Sequence, residues 1–377
     1  MEVTVEAERK VSTSDDWDYM LLFLPEGWEQ SAADTGAMLR CRGFANAGTL
    51  LRALLIHLLD GCSLRETATR LRELGYADVS DVALLKRLNA SGEWFRYMAK
   101  GLMEKTIPNQ AWQVLPKGYG IRLVDATCIS KPGSEGTDWR IHYCIDLPSL
   151  SCVDLALTDS SVGETFKNFT VDKKHLYIGD RGYSNRPGVA YIVDKGGDVL
   201  VRMNMDNLPL RMPGTENEFN LLRHLRTLSG RKIGEWAVEI NHEGAIIPGR
   251  ICAIKKSQEA ALLAQKKILE AASKKQKIPK PETLEGAKYV FVFTTLPAEV
   301  LSAENALEVY RGRWQIELAF KRLKSLLEIG SLPKQDPGGS KSWIYGKMFA
   351  ALLIEALISS AERFFPWGYP LTAPSEA

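Results

Sequence analysis

Residues 310–330 read YRGRWQIELAFKRLKSLLEIG, and the remainder of the chain is best understood from this stretch outward. At about 100° per residue it is expected to form one amphipathic helix from Tyr310 to Gly330. Tyr310, Arg313, Glu317 and Lys324 then share an arc of about 60°. Ile316, Ala319, Phe320, Leu323, Leu326 and Leu327 fill the neighbouring arc, which the helix would bury. Five bases (Arg311, Arg313, Lys321, Arg322 and Lys324) surround two acids, Glu317 and Glu328. An isolated Arg–Glu pair four residues apart usually only decorates a solvated face. A carboxylate in a positive field is what a metal-binding acid beside a phosphate requires.

Composition sets the limits. The 377 residues suffice for two or three domains, and 45% hydrophobic content supplies a sizeable core. Net charge is only +2, from 48 basic and 46 acidic residues, so any nucleic-acid surface must come from local clustering. The N-terminus, MEVTVEAERK, has no apolar signal region. The longest apolar run, near Met348–Ala361, contains Glu355 and is too short to span a bilayer. A soluble cytoplasmic protein without a membrane partner is expected. The six cysteines (Cys41, Cys62, Cys128, Cys144, Cys152 and Cys252) form no C-x-x-C pair, and the five histidines do not cluster with them. That pattern argues against zinc and for free thiols in a reducing compartment.

In chain order, residues 1–33 are polar and read as an N-terminal arm. Residues 34–110 are helical. Ala47–Leu59 suits a central helix, and Ser63-Leu64-Arg65-Glu66 is a capping box opening a helix to Leu74, with Gly75 as its stop. Ser80 caps the next helix, Asp81–Leu88, and another follows near Glu93–Met103. The pattern fits a helix-turn-helix-like DNA-binding domain offering Lys86 and Arg87, with Asp81 and Asn89 beside them. An ordinary small helical bundle fits equally well. Residues 104–118 read as a linker.

From Gly120 the period becomes strand-like. Ile121–Val124 ends at Asp125-Ala-Thr127. Trp139–Leu147 and Cys152–Leu157 follow, with a hairpin turn at Pro132–Thr137. At most a short helix lies near Gly163–Thr170. His175–Gly179 is a strand running into Asp180-Arg181-Gly182-Tyr183, then a helix, Pro187–Lys195, and a strand, Asp198–Met203. The order suggests a first part of a ribonuclease-H-like catalytic core over 118–205. Residues 206–296 interrupt it with strand-like Lys232–Ile240, Ala245–Lys255 and Tyr289–Thr294. Between them runs a Lys-rich helix from Ser257 to about Lys277, either a solvated face or a phosphate-tracking surface. Residues 297–330 return to the core with the Glu317 helix. Residues 331–377 hold a Gly/Pro-rich turn, Pro333–Ser340, and a C-terminal helix from Trp343 to about Phe365.

The spacing Tyr-x2-Arg-x3-Glu-x6-Lys resembles the third catalytic block of bacterial insertion-sequence transposases of the DDE type. Within these it resembles insertion-sequence family 4, the branch named after Tyr-Arg-Glu-Lys. The resemblance covers about 120–330 and includes Val124-Asp125-Ala-Thr127 and Gly179-Asp180-Arg181-Gly182-Tyr183. It implies an α/β ribonuclease-H-like core with a β-strand-rich insertion, an all-α N-terminal DNA-binding domain and a C-terminal helix. It also implies that Tyr310, Arg313 and Lys324 grip DNA phosphate. Arg181, next to Asp180, is a further expected DNA contact. A tryptophan of the insertion would stack on a flipped base, and Trp236 is the only one within 206–296.

The chemistry agrees. Hard divalent cations held by carboxylate oxygens supply the charge neutralisation that phosphoryl transfer needs. Asp125, Asp180 and Glu317 are the expected metal-binding catalytic residues, with Mg2+ (Mn2+ as substitute), two ions. Double-stranded DNA, as terminal inverted repeats and target, and a homodimer in the paired-end complex are the expected partners. Cut-and-paste transposition is the expected function. The alternatives are a catalytically inactive repressor and a ribonuclease-H-type nuclease without strand transfer.

Overall fold

The computed structural model describes residues 17–104, 115–131, 133–134, 136–205, 207–274, 276–329, 332 and 337–364. Residues 1–16 of the expected arm, most of the expected linker, half of the Pro333–Ser340 turn and residues 365–377 lie outside them; the other half of that expected turn is helix, which starts at Pro337 and not at Trp343. The chain divides into two compact units. One gathers Met1–Ile107, Ile129–Asp138 and Lys321–Ala377, the other Pro108–Cys128 and Trp139–Phe320.

The first unit is built from helices α1 (Trp28–Asp34), α2 (Ala47–Leu59), α3 (Leu64–Glu73), α4 (Asp81–Ala90) and α5 (Gly92–Glu104). The local sequence starts and stops them. Asn46 accepts from the Thr49 amide at 2.8 Å. Ser63 and Glu66 close a reciprocal capping box at 3.2 and 2.7 Å, a device worth about 1 kcal/mol. Gly75, at φ 70°, ends α3 in the left-handed conformation that glycine adopts freely. Leu50, Leu51, Leu54 and Leu58 of α2 are fully buried, each contributing about 1.5–3 kcal/mol. Part of the expected arm is not loose. Trp28 stacks on Trp94 at 6.3 Å, and the Trp94 indole donates to the Trp28 carbonyl at 2.8 Å. The long C-terminal helix, Pro337–Phe364, packs on α5 through Phe95 and Phe349, 5.9 Å apart.

The second unit is organised by one eight-stranded sheet. Its strands are β1 (Gly120–Ile129), β2 (Trp139–Asp146), β3 (Ser151–Asp159), β4 (His175–Gly179), β5 (Asp198–Arg202), β6 (Ile233–His242), β7 (Ala245–Lys255) and β8 (Tyr289–Thr294). The spatial order is β3-β2-β1-β4-β5-β8-β7-β6. β1, β4 and β5 run parallel, and β5–β8, β8–β7 and β7–β6 are antiparallel. The hairpin of the interrupting segment therefore extends the same sheet. A continuous core that includes Val124, Phe166, Tyr177, Tyr183, Val199, Val201, Ile251 and Phe293 packs on it.

Two expectations need correction. Strand β1 does not end at Asp125 but continues to Ile129. Pairing with β4 stops at Leu123, yet the amides of Leu147 and Asp138 donate to the carbonyls of Ile121 and Ile129. β2 thus keeps the strand extended beyond Asp125. Residues 310–330 are also not one helix. Helix Ala303–Arg311 ends at Gly312, and a second helix, Trp314–Leu326, starts after Arg313. The amides of Gly312 and Arg313 bond back three residues, to Val309 and Tyr310, which tightens the chain into a turn. Gly312 packs on Leu147, where a Cβ would lie 3.3 Å from the leucine side chain. The common arc drawn for Tyr310 and Glu317 therefore does not exist.

Candidate active site

The parallel register positions the two aspartates. Gly120 pairs with His175 and Leu123 with Ile178, so continuing the same step sets Asp125 against Asp180. Asp180 follows the last residue of β4, and its Oδ1 accepts from the Gly182 amide at 2.7 Å. Asp125 Oδ1 accepts from the Ala126 amide at 2.8 Å. Burial pushes the Asp125 carboxyl up to about 6. The charges of Asp180 and Glu164 push the same way, against the Ala126 amide and the Arg313 cation. A carboxylate surrounded by like charges is poised to take up a cation.

Arg313 brings in the third acid. From the turn between the two helices, its Nη1 lies 3.5 Å from Asp125 Oδ2, and its Nη2 is hydrogen bonded to Glu317 Oε1. Its side chain is only 18% exposed, whereas that of Glu317 is 51% exposed. One guanidinium therefore neutralises two acids far apart in sequence. Tyr310 is buried at the end of the preceding helix. Burial holds its phenol above the usual range, and the nearby cations Arg313 and Arg202 oppose that shift.

Further cations stand beside these groups. Arg181 Nε is buried and has no hydrogen-bond partner among the described residues. Burial and then Arg202 lower the pKa of its guanidinium, while Tyr310 and Asp180 act the other way. Arg202 ends β5, and the pairing of Gly179 with Val201 sets it next to Asp180. Burial, with Arg202 and Arg181 close by, draws the Lys256 ammonium down to about 8. Its Nζ donates to the Ala287 carbonyl at 2.8 Å. Neither Arg202 nor Lys256 carries a motif. The legible signal for Arg202 was its place at the carboxyl end of the strand after the one ending at Asp180.

The remaining expected DNA contacts lie elsewhere in their units. Lys324 is exposed in the last turn of helix Trp314–Leu326. Lys86 is exposed on α4. Arg87 is turned inward, donating to the carbonyls of Ala37 at 3.1 Å and Arg40 at 2.5 Å. Trp236 is half-buried on β6, edge-on to His224 at 5.6 Å. Trp314, directly after Arg313, is 52% exposed and offers a ring face that a base could stack on. A search confined to the interrupting segment passes it over.

Among the described residues no three His, Cys, Asp or Glu side chains are close enough to hold a metal ion as they stand. Arg313 already neutralises Asp125 and Glu317. The surroundings nevertheless fit a hard cation. The donors are carboxylate oxygens. Gly182 leaves open a gap in which a Cβ would lie 2.5 Å from Glu164 Oε2 and 3.1 Å from Asp180 Oδ1. The buried Tyr183 hydroxyl, subject to the charges of Asp125, Glu164 and Asp180, has no hydrogen-bond partner among the described residues.

The family described as "Transposase DDE domain" matches residues 116–353. The protein named as transposase InsL for insertion sequence element IS186A of Escherichia coli K12 is 36% identical over 360 residues, covering 93% of this chain and 96% of its own length. The transposase for insertion sequence element IS421 of Escherichia coli is 36% identical over 361 residues, with the same coverage. With the domain match spanning most of the chain and relatives aligned almost end to end, this chain belongs to the DDE transposases of insertion sequences, in the branch that carries the Tyr-Arg-Glu-Lys signature.

Proposed function

We propose that this chain cuts DNA at the terminal inverted repeats of its element and joins the freed 3′ ends to target DNA. The observation that supports this most directly is the convergence of three distant acids. The β1–β4 register brings Asp125 to Asp180, and Arg313 ties Asp125 to Glu317. The strand order β3-β2-β1-β4-β5, with its parallel centre, supports a ribonuclease-H-like core, with β6 and β7 as the strands of the insertion.

Asp125, Asp180 and Glu317 would hold two Mg2+ ions, with Mn2+ as substitute. Bound there, such ions neutralise the phosphate and activate the attacking oxygen. The chain's own residues do the rest. Tyr310, Arg313 and Arg181, joined by Arg202 and Lys256, present a hydroxyl and several cations to one stretch of DNA backbone. Arg313 exchanges its acids for a phosphate as the DNA enters. Lys324 extends that contact along its helix. Trp236 or the more exposed Trp314 stacks on an unpaired base. The capped helices α3 and α4 act as the DNA-binding pair, with Lys86 towards the backbone, and a homodimer bridges the two ends.

The test is Mg2+-dependent cleavage of the element's own ends by Asp125→Asn, Asp180→Asn and Glu317→Gln. Each is expected to abolish cleavage while retaining DNA binding. Near-normal cleavage by any of them removes that residue from the site. A precut end then separates strand transfer, which yields joined product, from simple nuclease action.

A further inference from the structure

Glu164 belongs to none of the three signature blocks. It lies between β3 and the short turn of helix at Phe166–Asn168. Its carboxylate nevertheless meets the aspartates. Glu164 Oε2 and Asp180 Oδ1 both border the position of the missing Gly182 side chain, at 2.5 and 3.1 Å. They are therefore no further apart than those two distances combined. Burial pushes the Glu164 carboxyl up and Asp180 adds to that, while Arg140 opposes it. Two carboxylates held this close repel unless something positive lies between them.

A cluster of acids is not in itself a site. The independent sign of a ligand is Tyr183. Its ring is wholly buried, packed on Phe166 at 5.1 Å and Phe169 at 6.4 Å. Its hydroxyl finds no hydrogen-bond partner among the described residues. Burial and then the charges of Asp125, Glu164 and Asp180 hold its proton on. It is thus a buried hydrogen-bond donor that feels the charge of all three carboxylates yet has no acceptor within hydrogen-bond distance among the described residues. Buried polar groups are rarely left so, because the lost hydrogen bond is costly. A chain that needed only a packed core would place phenylalanine there.

We infer that Glu164 is a fourth carboxylate of the divalent-cation site, facing Asp180 across Gly182, and that the Tyr183 hydroxyl hydrogen-bonds an oxygen ligand of the loaded site. This rests on the reading of Asp125 and Asp180 as cation-holding acids. Gly182 is then needed for its missing side chain, since any Cβ would occupy the gap between the two carboxylates. Glu164 strengthens cation binding on the Asp180 side and orients the oxygen donors that a six-coordinate ion still requires.

The experiment is Mn2+ binding to the full-length protein without DNA, followed by the electron paramagnetic resonance signal of free Mn2+. Wild type is compared with Glu164→Gln, Asp180→Asn and Tyr183→Phe. Glu164→Gln is expected to weaken binding about tenfold or more, with an unfolding temperature in chelator equal to or above that of wild type. Glu164→Asp, which withdraws the carboxylate by one methylene, should fall between and serves if Glu164→Gln does not fold. If Glu164→Gln binds Mn2+ as wild type does while Asp180→Asn does not, the role of Glu164 is overturned and the aspartate site stands. If Asp180→Asn also binds as wild type does, the site itself is misplaced and the role of Glu164 falls with it. Tyr183→Phe should melt no lower than wild type in chelator yet gain less from Mn2+. An equal Mn2+-induced rise overturns the part given to the hydroxyl.

Discussion

Arg313 stands 3.5 Å from Asp125 and is hydrogen bonded to Glu317, so a single guanidinium links an acid of the central sheet to the acid of the signature helix. It occupies the electrostatic place that divalent cations would take. Metal binding and this bridge therefore compete. Arg313→Ala is expected to tighten Mn2+ binding several-fold in the absence of DNA, because a competing charge is gone. The same change should slow cleavage of end DNA by about 100-fold or more, since Arg313 is also a phosphate contact. Arg313→Lys should not restore cleavage fully, because a point charge does not reproduce the planar fork. Unaltered Mn2+ affinity in Arg313→Ala would show that the bridge does not guard the site.

Two groups shifted by burial make opposite pH predictions. The folded protein holds the Asp125 carboxyl at about 6, above its ordinary value. Its ionisation therefore costs stability, which is highest at low pH and lost as pH rises from about 4 through about 6. In chelator, Asp125→Asn should be more stable than wild type by about 3 kcal/mol at pH 8, with the gain vanishing near pH 4. His142 behaves conversely. Burial draws its imidazole down to about 4, and it is hydrogen bonded to Thr158 at 2.9 Å. The unfolded chain binds this proton first, so wild type loses stability as pH falls from about 6.5 to about 4. His142→Asn should be weaker overall but lack that dependence. Urea unfolding across the pH range, read as the difference from wild type, tests both.

Neighbouring bases on α4 should separate binding from folding. Lys86 is exposed, whereas Arg87 holds the carbonyls of Ala37 and Arg40. Lys86→Ala is expected to weaken DNA binding about uniformly across sequences and reduce its salt dependence, leaving the melting temperature unchanged. Arg87→Ala should lower stability by about 1–3 kcal/mol by removing charged hydrogen bonds. Gel shifts at several salt concentrations and thermal melts decide the matter. Lost stability in Lys86→Ala with unchanged binding would reverse the assignment.

Much of the second unit was legible because buried strands announce themselves as short apolar runs. His175–Gly179, Ala245–Lys255 and Tyr289–Thr294 have the bounds their sequence suggests. The capping box at Ser63 and the stop at Gly75 were equally local. The errors came where a neighbour decides. β1 runs past Asp125 because β2 accompanies it, and the signature helix breaks at Gly312, where the chain tightens into a turn against Leu147. Periodicity, which sees one segment at a time, contains neither contact.

By itself the sequence singled out the acids of the three signature blocks and the approximate strands and helix around them, because spacing and hydrophobic period are properties of a single segment. Only the tertiary structure decided that Arg313 bridges Asp125 and Glu317, that Arg202 lies beside Asp180, and that Glu164 faces Asp180 across Gly182. Those relations depend on strand register and on a turn set by packing. Residues distant along the chain acquire a shared electrostatic environment only once the sheet has brought them together.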